Sequence, residues 1–143
     1  MKYRGNLAQG DALAVHLLDV VQRDGFKADL VAPVPLARLR QRERGYNQAA
    51  LLARPLAAAL GVPYRPDVVA RVRETPSQVG RSLASRRDNV ADAFSARESR
   101  TSGRRVLLVD DVLTTGATLD AAAKALKQAG AVHVAAVVVS RAV

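Results

Sequence analysis

The stretch from Val106 to Leu119, reading VLLVDDVLTTGATL, constrains the fold of this 143-residue chain more than any other. Four consecutive apolar residues, Val106 to Val109, suit a strand buried on both faces, because such a strand has no solvent side to keep polar. Two adjacent carboxylates, Asp110 and Asp111, then stand where that strand is expected to end. A helix is predicted to start near Thr118, to continue through Ala121 to Leu126, and to stop at Gly130. Strand, loop and helix in this order describe a parallel α/β unit with a ligand at the carboxyl end of the strand.

The residues of the turn have a chemistry of their own. From Leu113 to Ala117 the backbone leads into the positive end of a helix, where free N–H groups can receive a phosphate monoester. Thr114, Thr115 and Thr118 can add hydroxyl donors, and Gly116 lets the backbone approach closely or take a positive φ. Two neighbouring anions at the mouth of a sheet repel each other and resist desolvation unless something neutralises them. Vicinal hydroxyls and a divalent cation would do so, so a ribose bearing a 5-phosphate fits both halves: diol on Asp110 and Asp111, phosphate on Thr114, Thr115, Gly116, Ala117 and Thr118. A strand end followed by an N-capped helix also favours Asp and Thr for local reasons. A DD or a TTG alone would not outweigh that reading; the whole ordered string does.

The string resembles the phosphoribosyl pyrophosphate (PRPP) signature of the type I phosphoribosyltransferases. Two further stretches, PVPLARLRQRERGYNQ at Pro33 to Gln48 and RVRETPSQVGRSLASRRDNVADAF at Arg71 to Phe94, resemble the ComF family of competence proteins and its GntX-like relatives. With KYRG at Lys2 to Gly5, the similarity covers nearly the whole chain. The resemblance implies an α/β fold of the type I phosphoribosyltransferase kind, a mainly parallel sheet flanked by helices, as one domain over residues 1–143. It implies PRPP with Mg²⁺ as ligand and cofactor and a cytoplasmic role in natural transformation, the handling of incoming single-stranded DNA. A ComF-family helicase and recombination mediators are the partners that role suggests. The alternative is an active phosphoribosyltransferase for a nucleobase or another nitrogen nucleophile with no part in DNA uptake; no catalytic residue is assigned.

Composition narrows the field. With 49% hydrophobic but only 3% aromatic residues, the core must be built from Ala, Val and Leu. No run approaches the twenty apolar residues of a membrane span and no signal-like leader is visible, so a cytoplasmic protein without membrane insertion is expected. The chain has no cysteine, hence no disulfide and no thiolate zinc site. Many ComF proteins carry a cysteine-rich zinc ribbon ahead of the region matched here, so the sequence fits either a natural short form or a chain cut after that ribbon. The net charge of +9, mostly from arginine, favours polyanionic partners. Few aromatics mean little base stacking, so DNA binding is expected to be weak and salt-sensitive.

Along the chain, Leu13, Leu17, Val20 and Val21 recur at helical spacing and predict a helix over Asp11 to Arg23 after a polar lead-in. His16 reads as packed or half-exposed. Ala28 to Ala32 reads as the first buried strand. By its position in the family, the loop after that strand would bind pyrophosphate, through backbone N–H groups near Leu36 and Ala37 with Arg38 and Arg40 as countercharge. A family histidine is replaced by Ala37. A helix is predicted over Tyr46 to Leu60, kinked at Pro55, then a strand within Val68 to Val72. The polar segment from Thr75 to Arg105 corresponds to the family's mobile lid, where Arg73, Gln78, Arg86 and Arg87 match. These residues, with Arg71, Arg81 and the arginines from 38 to 44, could also form a DNA groove. Ala96 to Arg104 reads as a plain surface loop, and Val132 to Val139 as a final strand opened by a structural His133.

Overall fold

A computed structural model describes residues 3–35, 47–72, 93–113 and 116–141. Helix α1 spans Tyr3–Asp24, strand β1 Leu30–Pro33, α2 Gln48–Leu60, β2 Val69–Arg71, β3 Phe94–Ala96, α3 Glu98–Thr101, β4 Arg105–Leu113, α4 Ala117–Gln128 and β5 His133–Arg141. The order β1-β4-β5 forms a parallel sheet, so the central strand is the one the sequence singles out. β2 and β3 pair antiparallel as a separate two-stranded unit.

Alternation along the strands sends side chains to two apolar clusters. Leu30, Ala32, Val106 and Leu108 face one side, where Ala121, Ala122, Ala125 and Leu126 of α4 and Val69 and Phe94 of the β2–β3 pair cover them. Val31, Leu107, Val109 and Val137 face the other, against Leu17 and Val21 of α1 and Leu52 and Leu56 of α2. Small alanines on α2 and α4 let the helices lie close to the sheet, which is how a core with so few aromatics closes.

α2 begins where Asn47 accepts a hydrogen bond from the Ala49 N–H at 3.0 Å, and ends at Gly61, whose φ of 73° is left-handed. It continues through Pro55. The Asn47 side chain also donates to the Val34 carbonyl at 3.3 Å, tying the start of α2 to the exit of β1. Beyond the other edge of β1, the Val31 N–H donates to the Pro63 carbonyl and the Arg65 N–H to the Val31 carbonyl, so residues 63–65 cover that edge.

Three expectations need correction. α1 starts at Tyr3, not Asp11; the intervening stretch has no proline, and Gly5 and Gly10 each cost only about 1 kcal/mol relative to alanine. Ala96 to Arg104 is not a plain loop: it holds the end of β3, the one-turn α3 and the fully buried Thr101. His16 is exposed rather than packed. His133 is also exposed, with its ring 5.5 Å from that of Phe26.

Candidate functional site

β4 does not end at Val109 as the apolar run suggests. It continues to Leu113 because β5 keeps pairing with it, Asp110 opposite Val138 and Val112 opposite Ser140. On the other side, β1 stops pairing at Pro33 opposite Val109, with a last hydrogen bond from the Val34 N–H to the Val109 carbonyl at 2.9 Å. Asp110 and Asp111 therefore lie just past the point where one neighbouring strand leaves and the other continues. Both are half-buried, and the Asp111 N–H donates to Asp110 Oδ1 at 2.9 Å.

This position sets the electrostatics. Burial pushes the Asp110 carboxyl up to about 7, and a side-chain hydrogen bond with Asp111 and its negative charge push the same way. The backbone hydrogen bond from Asp111 and the positive charge of Arg71 oppose them. Asp110 is thus an acid that keeps its proton to near neutrality until a cation or a set of hydroxyl donors favours the carboxylate.

Arg71 is the residue whose place the sequence conceals. It ends β2, pairs with Phe94 across the antiparallel ladder, and holds its guanidinium 4.8 Å from the centre of the Phe94 ring. A cation over a ring face is held electrostatically. Sequence reasoning puts Arg71 among the general groove arginines; the structure brings it to Asp110. The signal that would have found it is the cross-strand partner Phe94, which lies beyond a long polar segment.

At the other end of the loop, Gly116 has φ 81° and ψ −4° and caps α4, which starts at Ala117, one residue before the expected position. A left-handed φ is cheap only for glycine. The helix presents its N-terminus from Ala117 and Thr118, beyond the carboxylates in the chain. Thr114 and Thr115 lie outside the described residues, as do Leu36, Ala37, Arg38, Arg40, Arg73, Gln78, Arg86 and Arg87. The described chain leads towards the first group at Pro35, after β1, and towards the second at Val72, whose N–H donates to the Ala93 carbonyl at 2.7 Å.

Among the described residues no group of three or more His, Cys, Asp or Glu side chains could hold a metal ion. The Asp110–Asp111 pair is a two-carboxylate donor set, which suits a Mg²⁺ that keeps waters or arrives with phosphate oxygens. A cleft of about 490 Å³ between the ends of α1 and α2, lined by Val21, Phe26, Lys27, Leu60 and Val62 among others, lies at the amino end of β1 and away from the carboxylates.

A family model described as "Phosphoribosyl transferase domain" matches residues 47–142. "Competence protein F" of Haemophilus influenzae is 42% identical over 126 residues, covering 87% of this chain and 52% of that protein. The chain is a ComF-family protein with a phosphoribosyl transferase domain. Another relative of this ComF-family chain, "DNA utilization protein YhgH" of Escherichia coli (strain K12), is 38% identical over 106 residues, 74% of this chain and 46% of that one. The ComF-family chain thus spans about half the length of these relatives. Among solved structures, adenine phosphoribosyltransferase from Thermoanaerobacter pseudethanolicus superposes with a TM-score of 0.60 at 26% identity, covering 92% of this chain and 67% of the other. The fold is accordingly that of the type I phosphoribosyltransferases, as the resemblance implied. No helix among the described residues is long and apolar enough to cross a membrane.

Proposed function

We propose that this ComF-family chain binds PRPP together with Mg²⁺ and acts in the handling of single-stranded DNA during uptake. The observation that carries the reading is the half-buried Asp110–Asp111 pair at the end of the central strand, followed by the left-handed Gly116 and the N-terminus of α4. The ribose diol donates to the two carboxylates, which lowers the cost of ionising Asp110. The 5-phosphate accepts hydrogen bonds from backbone N–H groups and hydroxyls over Thr114, Thr115, Gly116, Ala117 and Thr118. Asp110 and Asp111 would hold Mg²⁺, through water or through PRPP, and the cation would supply positive charge against the pyrophosphate.

On the pyrophosphate side the proposed groups are the backbone at Leu36 and Ala37 with Arg38 and Arg40. Arg73, Gln78, Arg86 and Arg87 belong to a lid or to a DNA groove. Support for the DNA role comes from the relatives' names and from the sequence: four arginines against one glutamate lie between Leu36 and Tyr46, after β1 in the chain. Such a cluster tracks a phosphate backbone by counterion release, without reading bases. Cytoplasmic location and association with a ComF-family helicase or recombination mediators belong to the same proposal.

Calorimetric titration of PRPP with Mg²⁺, alone and with saturating single-stranded DNA, tests it. Saturable PRPP binding, weakened by DNA, is the expected result, along with DNA affinity that falls steeply with salt. Absence of PRPP binding removes the ligand half of the proposal, and base-selective, salt-independent DNA binding removes the other.

A further inference from the structure

Two charged side chains stand where alternation along a strand calls for core residues. The β2–β3 pair lies over one face of the sheet, with Val69 and Phe94 joining Val106 and Leu108 in a single apolar cluster. Along β2, Val69 is buried, Ala70 exposed and Arg71 half-buried, so Arg71 points to the same side as Val69. Its cross-strand partner Phe94 is buried and Ser95 exposed, which fixes the same inward side on β3. On β4, Val106, Leu108 and Asp110 follow one another along the face that this pair covers. The pairing of Asp110 with Val138 carries the alternation through the carboxylate. Both facing surfaces therefore change from apolar to charged, and they do so at the same end, since the Arg71 charge is felt at Asp110.

A guanidinium turned towards a core is costly unless something compensates it. Phe94 does part of this: the guanidinium carbon lies 4.8 Å from the centre of its ring. The ring attracts the cation and holds it in place without neutralising it.

We propose that Arg71 is the residue by which the site tells PRPP from ribose 5-phosphate, through hydrogen bonds to the pyrophosphate on C1. The inference rests on the ribose placement proposed above and adds a group to it. A diol on Asp110 and Asp111 fixes where C1 lies, because C1 is bonded to the carbon that bears the 2-hydroxyl. A pyrophosphate on C1 thus projects from the immediate neighbourhood of two carboxylates, and their repulsion has to be offset by positive charge close by. Arg71 is a cation already held there, and its fork of N–H donors matches two oxygens of a phosphate. Ribose 5-phosphate carries a hydroxyl on C1 and offers Arg71 no anion at that place.

The test is the ratio of two dissociation constants, for ribose 5-phosphate and for PRPP, each measured with Mg²⁺ by calorimetry. Any effect that Arg71 passes on through Asp110, or through the fold, acts on the shared ribose phosphate and cancels in the ratio. The wild type is expected to favour PRPP. Arg71→Met should cut that preference on the order of 10- to 100-fold, the loss of a charge-assisted contact, and Arg71→Lys should restore part of it. Arg104→Met removes one positive charge from an exposed position just ahead of β4 and should leave the ratio unchanged. A wild type that binds both ligands equally, or an Arg71→Met variant with the wild-type ratio, overturns the inference and leaves the ribose placement standing. A wild type that binds neither ligand removes the placement and the inference together.

Discussion

β4 and β5 are two nine-residue strands that pair along most of their length and are rich in Val, Leu and Ala, yet among the described residues one is core and the other is edge. In β4, Val106, Val109 and Leu108 are fully buried and Leu107 is 2% exposed. In β5, only Val137 is buried among the residues from His133 to Val139. The apolar run reports that a strand belongs to a sheet; its neighbours decide what its end can do. Past Val109, Asp110 still has β5 on one side while β1 has gone, so its carboxyl is held half out of water. A carboxylate at the end of β5 would have one neighbouring strand at most and would stay solvated. That contrast explains why the proposed ligand site is placed at the end of the middle strand.

Core substitutions should break this symmetry most visibly. Leu108→Ala is expected to lower unfolding free energy by about 3 kcal/mol, because it empties a fully enclosed position between β4 and α4. Val138→Ala, half-buried on β5, should cost about 1 kcal/mol or less. Urea unfolding of the two variants checks the difference, and equal losses would mean that β5 is as enclosed as β4.

The next effect concerns the end of β4. Asp110 keeps its proton to about pH 7 in the folded chain, whereas an unfolded aspartate releases it near 4. Between those values the folded state binds more protons than the unfolded one, so stability falls as pH rises through that window. The wild type should lose on the order of 2 kcal/mol across it from this group. Asp110→Asn should remove most of that slope and be the more stable protein at pH 8. Thermal unfolding scans at pH 5, 6, 7 and 8 make the comparison, and an unchanged slope in the variant would show that Asp110 is solvated like a strand-end carboxylate on β5.

A smaller effect lies just ahead of β4. Thr101 is fully buried, and its Oγ1 finds no hydrogen-bond partner among the described residues. Replacing it with isosteric valine, Thr101→Val, removes an unsatisfied hydroxyl and should stabilise the chain by about 1 kcal/mol. A loss of similar size in chemical denaturation would mean that the hydroxyl is bonded.

The centre of the molecule is legible in the sequence because a strand covered on both faces leaves a continuous apolar signature, as Val106 to Val109 does. The Asp110–Asp111 pair and Gly116 are legible because acids after such a strand and glycine before a helix are local features. The continuation of β4 to Leu113 is not, because it depends on pairing with Val138 and Ser140, residues far along the chain. Arg71 against Phe94 is hidden for the same reason. α3 and Thr101 are hidden because the stretch from Ala96 to Arg104 looks polar, and one threonine cannot announce its burial. Nor does sequence distinguish the edge of β1, covered by residues 63–65, from that of β5, on which no strand among the described residues pairs. The residues named for the pyrophosphate side and for the lid lie outside the described part of the chain, so they remain proposals drawn from sequence.

The most direct test of the account is the PRPP dissociation constant, measured with Mg²⁺ by calorimetry for the wild type and for Asp110→Asn combined with Asp111→Asn. Two charge-assisted hydrogen-bonding groups are removed together, so affinity should fall by at least ~100-fold, while circular dichroism and the urea midpoint show a folded protein. A double variant that binds PRPP as tightly as the wild type would contradict the placement of the ribose on the carboxylates at the end of β4.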